Sequence, residues 1–200
     1  ISKPAWVRQL PALVAEEEGA SRSSSASRAW VLDPIDGTEA FIRRIPTWTV
    51  SLGLLCDGVP ILGVVAMPVS RDVFVGGVGI PATLNGREIH VESPEDALKN
   101  PVIFAPSTFH KFFPGHTYKD RIVSLFSIAA HLCFLASGGA EAVIISHSRA
   151  WDVAGALAIV RAAGGIALDL KGQELCLKGA MESGGTTGVA VAGHIERVKR

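Results

Sequence analysis

The stretch Trp30-Val31-Leu32-Asp33-Pro34-Ile35-Asp36-Gly37-Thr38 decides the reading of this chain. Three apolar residues run as a strand into Asp33-Pro34, a pair that reads as a strand stop and turn. Gly37-Thr38 then opens a short helix over 39–44, which Pro46 closes. Two carboxylates therefore stand three residues apart across a proline turn at the end of an apolar strand. Burying either one unpaired is costly, and side by side they repel. A divalent cation resolves both problems. Hard cations such as Mg²⁺ take oxygen ligands, and Asp33, Asp36 and the carbonyl of Ile35 supply three. The backbone N–H groups of Gly37 and Thr38, at a helix N-terminus, suit a phosphate. The bare spacing also fits an Asx turn followed by a helix cap, and on this motif alone both readings stand.

Two further acidic segments lie outside it. Glu16-Glu17-Glu18-Gly19 follows a short extended segment, 12–15, at the end of a helical stretch over 4–18. By itself a glutamate triplet is a solvated face. Trp151-Asp152 precedes a helix over 153–163 that Gly164-Gly165 stops. By itself Asp152 is an N-cap or first-turn acid facing the helix dipole.

The rest of the pattern is antiparallel first and alternating later. Strands are expected over 47–55, 61–67, 73–78 and 88–91, with hairpin turns at Asp57-Gly58 and Asn85-Gly86. A strand over 102–105 and an irregular segment over 109–117 follow. The apolar spacing predicts a helix over 122–137, stopped by Gly138-Gly139. Strands over 142–146, 166–170 and 188–192 and a terminal helix over 195–200 complete the chain, and 21–27 reads as a mobile loop. This order predicts stacked helix and sheet layers.

The 200 residues are 48% hydrophobic and 19% charged, the opposite of a disordered composition. Nineteen basic residues balance nineteen acidic ones, which argues against a nucleic-acid polymer or a membrane surface as partner. The most apolar stretch, 122–145, is interrupted by His131, Gly138, Gly139 and Glu141 and makes a poor membrane span. Cys56, Cys133 and Cys176 form no CxxC pair and read as thiols in a reducing compartment, so cytoplasm is the default location. The six histidines carry no zinc spacing, no GxSxG elbow is present, and the glycine-rich run 184–188 lacks a Walker lysine.

Taken together, Glu16-Glu17, Asp33-Pro-Ile-Asp36-Gly-Thr38 and Trp151-Asp152-Val-Ala-Gly155 with Ala163-Gly-Gly165 resemble the inositol monophosphatase family. This is the Mg²⁺-dependent, lithium-sensitive phosphatase superfamily, which also includes 3′(2′)-phosphoadenosine, histidinol and fructose-1,6-bisphosphate phosphatases. Asn85-Gly-Arg-Glu-Ile89 and Ala136-Ser-Gly-Gly-Ala140 look like family segments too. The resemblance implies an α/β, layered αβαβα sandwich, lacking part of the usual N-terminal helical region. It divides into an α+β lobe over 1–100 with the Glu-Glu and DPIDGT motifs, and an α/β lobe over 101–200 with WDVAG.

It implies a phosphomonoesterase acting on a small, inositol phosphate-like phosphorylated metabolite through a metal-activated water, with a 3′(2′)-phosphoadenosine or histidinol phosphatase of the same superfamily as the alternative. Two or three Mg²⁺ ions, with Mn²⁺ as the alternative, are held by Glu16, Asp33, the Ile35 carbonyl, Asp36 and Asp152. Glu16 and Thr38 hold the water, Asp33 bridges two metals, and Gly37, Thr38, Asp36 and Asp152 meet the substrate. A homodimer is the implied assembly. The family's helical segment ahead of the Glu-Glu motif is not in this sequence, so a truncated, non-catalytic binding homologue is the expectation of another class. Phe126-Ser127 stands where relatives carry Gly-Ser/Thr, and Ile145 stands where inositol-selective members carry an acid. That acid grips a hydroxyl and an isoleucine does not, so inositol itself is not favoured.

Overall fold

A computed structural model of the protein describes residues 12–16, 27–95, 101–115, 117–119, 121–183 and 186–199. The expected helical stretch ahead of residue 12, the loop over 21–26, Glu17 and Glu18 lie outside these residues.

The first half forms one seven-stranded sheet in chain order: β1 (Ala12–Ala15), β2 (Arg28–Asp36), β3 (Thr49–Cys56), β4 (Val59–Met67), β5 (Asp72–Gly77), β6 (Ile80–Leu84) and β7 (Arg87–Glu88). β1 runs parallel to β2 and every other neighbour is antiparallel. A short helix, α1 (Thr38–Ile42), joins β2 to β3. The two expected hairpin turns form as read. Asp57-Gly58 and Asn85-Gly86 all carry positive φ, which a two-residue hairpin matching the sheet twist requires. The strand expected over 88–91 shrinks to the two residues of β7, and β6 was not anticipated.

The second half gives β8 (Val102–Phe104), one helical turn α2 (Phe109–Phe112) in the segment read as irregular, and β9 (Arg121–Val123). Then come α3 (Ile128–Ala136), β10 (Ala142–Ile145), α4 (Ala150–Ala162), β11 (Gly165–Asp169), α5 (Lys178–Ser183), β12 (Ala190–His194) and α6 (Ile195–Val198). Its five strands order as β11-β12-β10-β8-β9.

The helix expected over 122–137 is therefore a strand followed by a shorter helix. Residues 121–123 pair parallel with β8. Phe126 sits at φ +66, which breaks helical continuity, and Ser127 starts α3 by accepting the Ala130 N–H at 2.9 Å.

α3 and α4 form a layer between the sheets. α4 packs on β2 to β6 and on β11, and α3 packs on α4, on β3 and β4, and on β10. Ten of the thirteen α4 residues are buried, so it shows no polar stripe, as a helix covered on all sides should. One apolar cluster runs through the layers, from Val31 and Phe74 through Leu132, Val153 and Ile159 to Val143 and Ala192.

Glycine sets the distance between α4 and the first sheet. A Cβ on Gly63 would stand 1.8 Å from the carbonyl oxygen of Gly155, and one on Gly53 2.7 Å from the Gly155 nitrogen. A Cβ on Gly155 would stand 2.7 Å from the Leu52 oxygen. Backbone lies against backbone here, so neither side can yield by rotating a side chain. This contact fixes the N-terminal turn of α4, and with it Asp152, over β2 and β3.

Gly63→Ala is expected to lower stability by at least about 2 kcal/mol, the upper range for overpacking against rigid backbone. Urea denaturation of variant and parent checks this. A change below about 0.5 kcal/mol would show that the layers part easily.

Candidate active site

β2 does not stop at Asp33-Pro34; it continues to Asp36 through an irregularity. Asp33 pairs with Ser51 and Asp36 with Thr49, so three steps on β2 oppose two on β3. One extra residue is inserted, as in a β-bulge. Proline donates no N–H, so the ladder tolerates the interruption at this point.

The consequence is decisive for the site. In a regular strand, residues three apart point to opposite faces. With one residue bulged out, Asp33 and Asp36 share a face, and both are buried, at 2% and 8% exposure. On the same face of β2 and β3, Ala29, Val31, Gly53 and Leu55 give way to Asp33, Asp36, Ser51 and Thr49. The sheet turns from apolar to polar along its own strands, under the start of α4.

Each carboxylate is aimed by backbone. The Ile35 N–H donates to Asp33 Oδ1 at 2.9 Å, which is the Asx turn. The Arg149 N–H donates to Asp152 Oδ2 at 2.7 Å. Asp152 lies inside the first turn of α4, which begins three residues earlier than the sequence pattern indicated. Asp36 Oδ2 accepts from Ser127 Oγ at 2.5 Å, from the Ala129 N–H at 2.8 Å and, more weakly, from Thr49 Oγ1 at 3.5 Å. The capping roles and the candidate site roles thus coexist in the same side chains. Among the described residues, no hydrogen bond reaches the second oxygen of Asp33 or of Asp152.

Burial is the main force on these acids, and mutual repulsion adds to it. Asp33 is pushed up to about 8, first by burial, then by the charges of Asp36, Glu16 and Asp152, against the Ile35 hydrogen bond. Burial raises Asp152 to about 7, opposed by the Arg149 N–H and aided by Asp36 and Glu16. Asp36 rises only to about 6, because Ser127, Ala129 and Thr49 offset its burial.

Four carboxylates from β2, α4 and the end of β1 are thus close enough to feel one another. Among the described residues, no three Asp, Glu, His or Cys side chains close to metal-ligand geometry. The donor chemistry is oxygen only, with the Ile35 carbonyl beside it, and that fits a hard divalent cation. A cation among these groups would cancel their repulsion and return them to the ionised state.

Thr38 opens α1, is exposed, and donates from Oγ1 to the Ile35 carbonyl at 3.2 Å. Gly37 sits at φ +89, and a Cβ there would meet the Ser127 Cβ at 3.0 Å, so both conformation and space demand glycine. The scaffolding of Asp36 by Thr49, Ser127 and Ala129 was not legible in the sequence, since those residues lie 13 to 93 positions away from it.

A sequence profile of the inositol monophosphatase family matches residues 8–198. Inositol monophosphatase 1 of Solanum lycopersicum is 35% identical over 156 residues, covering 72% of this chain and 57% of its own length. The fructose-1,6-bisphosphatase/inositol-1-monophosphatase of Aquifex aeolicus is 31% identical over 163 residues, covering 77% and 61%. The solved inositol monophosphatase of Anabaena superposes with a TM-score of 0.77 at 26% identity, over 92% of this chain and 73% of that one. The chain belongs to the inositol monophosphatase family. It spans less than two thirds of the length of the two relatives compared by sequence.

Two measurements test the site as built. The folded acids hold protons that the unfolded chain gives up near pH 4, so they destabilise the fold progressively as pH rises toward 8. Buried His131, lowered to about 4, acts oppositely, but only below about pH 6.5. The Tm of metal-free protein is therefore expected to fall between pH 6.5 and 8.5, and Asp33→Asn to flatten that slope. An equal slope in the variant would show that Asp33 is not the titrating group. Ser127→Ala should cost about 1–3 kcal/mol, because it leaves a buried carboxylate oxygen short of a donor; chemical denaturation reads the loss.

Proposed function

We propose that this protein is a metal-dependent phosphomonoesterase acting on a small phosphorylated metabolite. The observation that carries the proposal is the shared face of Asp33 and Asp36, with Asp152 and Glu16 within electrostatic reach. The names of the Solanum and Aquifex relatives point the same way.

Glu16, Asp33, the Ile35 carbonyl, Asp36 and Asp152 would hold two or three Mg²⁺ ions. Bound there, Mg²⁺ lowers the pKa of a water, neutralises phosphate charge and steadies the leaving oxygen. The protein's own groups position the reaction. Thr38 spends its hydroxyl proton on Ile35, so its oxygen is left to accept from the attacking water. The Glu16 carboxylate accepts the water's other proton. The N–H groups of Gly37 and Thr38 bind phosphate oxygens at the start of α1. Asp36 is held by three donors and therefore keeps its orientation while charge moves beside it. Ile145 is fully buried in β10 and offers the substrate no hydrogen bond, which favours a substrate other than inositol phosphate itself. The family resemblance adds lithium inhibition and a homodimer, and the unpaired thiols add a cytoplasmic setting.

The purified 200-residue chain should release phosphate from members of a monoester panel only when Mg²⁺ or Mn²⁺ is added. Asp36→Asn and Asp152→Asn should each cut turnover by about 10²-fold or more. A loss under about tenfold removes those residues from the proposed set. Metal binding with no turnover of any ester would leave a binding homologue instead.

A further inference from the structure

Two of the donors that hold Asp36 stand just past a strained residue. The Ser127 hydroxyl and the Ala129 N–H both donate to Asp36 Oδ2, and Phe126 before them sits at φ +66, an outlier for a bulky side chain. Strain of this kind persists only where the surrounding structure over-determines it. Here the neighbouring residue is gripped on both sides of its backbone. The Leu125 N–H donates to His131 Nε2 at 2.8 Å, and the Leu125 carbonyl accepts from Thr47 Oγ1 at 2.6 Å. The grip comes from two places in the chain at once, α3 and the connection between α1 and β3.

His131 is a costly way to fill its place. It is 2% exposed, and its ring lies flat on Phe104 of β8 with centroids 5.2 Å apart. Because Nε2 accepts, the ring proton is on Nδ1, and among the described residues Nδ1 has no hydrogen-bond partner. A buried donor left unpaired costs stability, and an apolar side chain of similar size would fill the space without that cost. Burial lowers the ring's pKa to about 4, so the ring stays neutral and able to accept at neutral pH. Among the described residues its hydrogen bond goes to Leu125, two residues before Ser127.

We infer that His131 is a positioning residue for Asp36. With Thr47 it fixes the Leu125 backbone, which keeps Phe126 in its left-handed turn and seats Ser127 and Ala129 on the carboxylate. Loss of either grip lets Phe126 relax toward ordinary φ, and the start of α3 then carries its donors off Asp36. This rests on the phosphatase reading only for the metal that Asp36 would hold.

The test uses the 200-residue chain and a matched pair of amides at position 131. Glutamine brings its carbonyl oxygen near the place of Nε2 and can accept from Leu125. Asparagine has the same polar group, one methylene too short to reach. Hydrogen exchange of the Ala129 amide in metal-free protein reads its bond to Asp36 directly. The Ala163 amide, which donates to the Ile159 carbonyl at 2.9 Å at the end of α4, is the internal reference for general loosening.

His131→Asn and Thr47→Val should each speed Ala129 exchange relative to Ala163 by about tenfold, as a local opening does. Each should also weaken Mn²⁺ affinity, read by calorimetry, by about tenfold, the lower end of the range for residues that orient a metal ligand. His131→Gln should stay within about threefold of the parent in both readouts. Phe104→Leu removes the stacking and keeps the acceptor, so it should lower Tm and leave both readouts within about twofold.

An exchange ratio in His131→Asn within about twofold of the parent overturns the inference and leaves the phosphatase reading intact. So does a His131→Gln variant as impaired as His131→Asn, or a Phe104→Leu variant that moves both readouts as far, since packing alone would then account for the effect. If the parent binds no Mn²⁺, the metal-dependent reading fails, and the exchange ratios alone decide by the same criteria. If His131→Asn does not fold, Thr47→Val decides: faster Ala129 exchange supports the grip on Leu125, and an unchanged ratio overturns it.

Discussion

The arrangement depends on one extra residue in β2. Without the bulge at Pro34 and Ile35, Asp33 and Asp36 would point to opposite faces of the sheet, and only one could look toward α4. With it, two carboxylates share a buried face, and the fold must tolerate two like charges in a poorly solvated place. The tolerance is unequal. Asp36 is given three hydrogen-bond donors and stays the most acidic of the buried acids, whereas Asp33 has one and is displaced furthest. That inequality orders them as a firmly held anchor and a more responsive neighbour.

The second constraint is the glycine contact between α4 and the sheet. Gly155 follows Asp152 by three residues, almost one helical turn, and meets Gly53 and Gly63 on β3 and β4. Any side chain at these places would push the helix outward and carry Asp152 away from Asp33. The WDVAG segment thus combines an acid for the site with the small residue that lets the acid arrive there. Stability and the proposed chemistry draw on the same few positions in this motif.

Much of the local structure was legible because it follows from local chemistry. The Asp-Gly and Asn-Gly hairpins formed where those pairs stand, since both residues tolerate positive φ. The glycine stops after α3 and α4 held for the same reason. The failures share a cause as well. Residues 122–125 carry helical spacing, but Ile122 and Val123 found β8 as a partner, and a left-handed Phe126 separated them from α3. Pro34 read as a strand end because a proline removes a donor, yet the strand survived by bulging at that point.

The sequence by itself determined the membership of the family and the acids of the candidate site, because those acids sit in short motifs with strong turn and cap chemistry of their own. Only the tertiary structure decided which donors hold which acid, since Asp36 is held by Ser127 and Ala129, more than ninety positions away. It also decided that Phe126 takes a left-handed backbone conformation between β9 and α3. Chain separation carries no trace of such contacts: they arise when α3 and α4 are pressed between two sheets, and burial there makes each donor and each charge count.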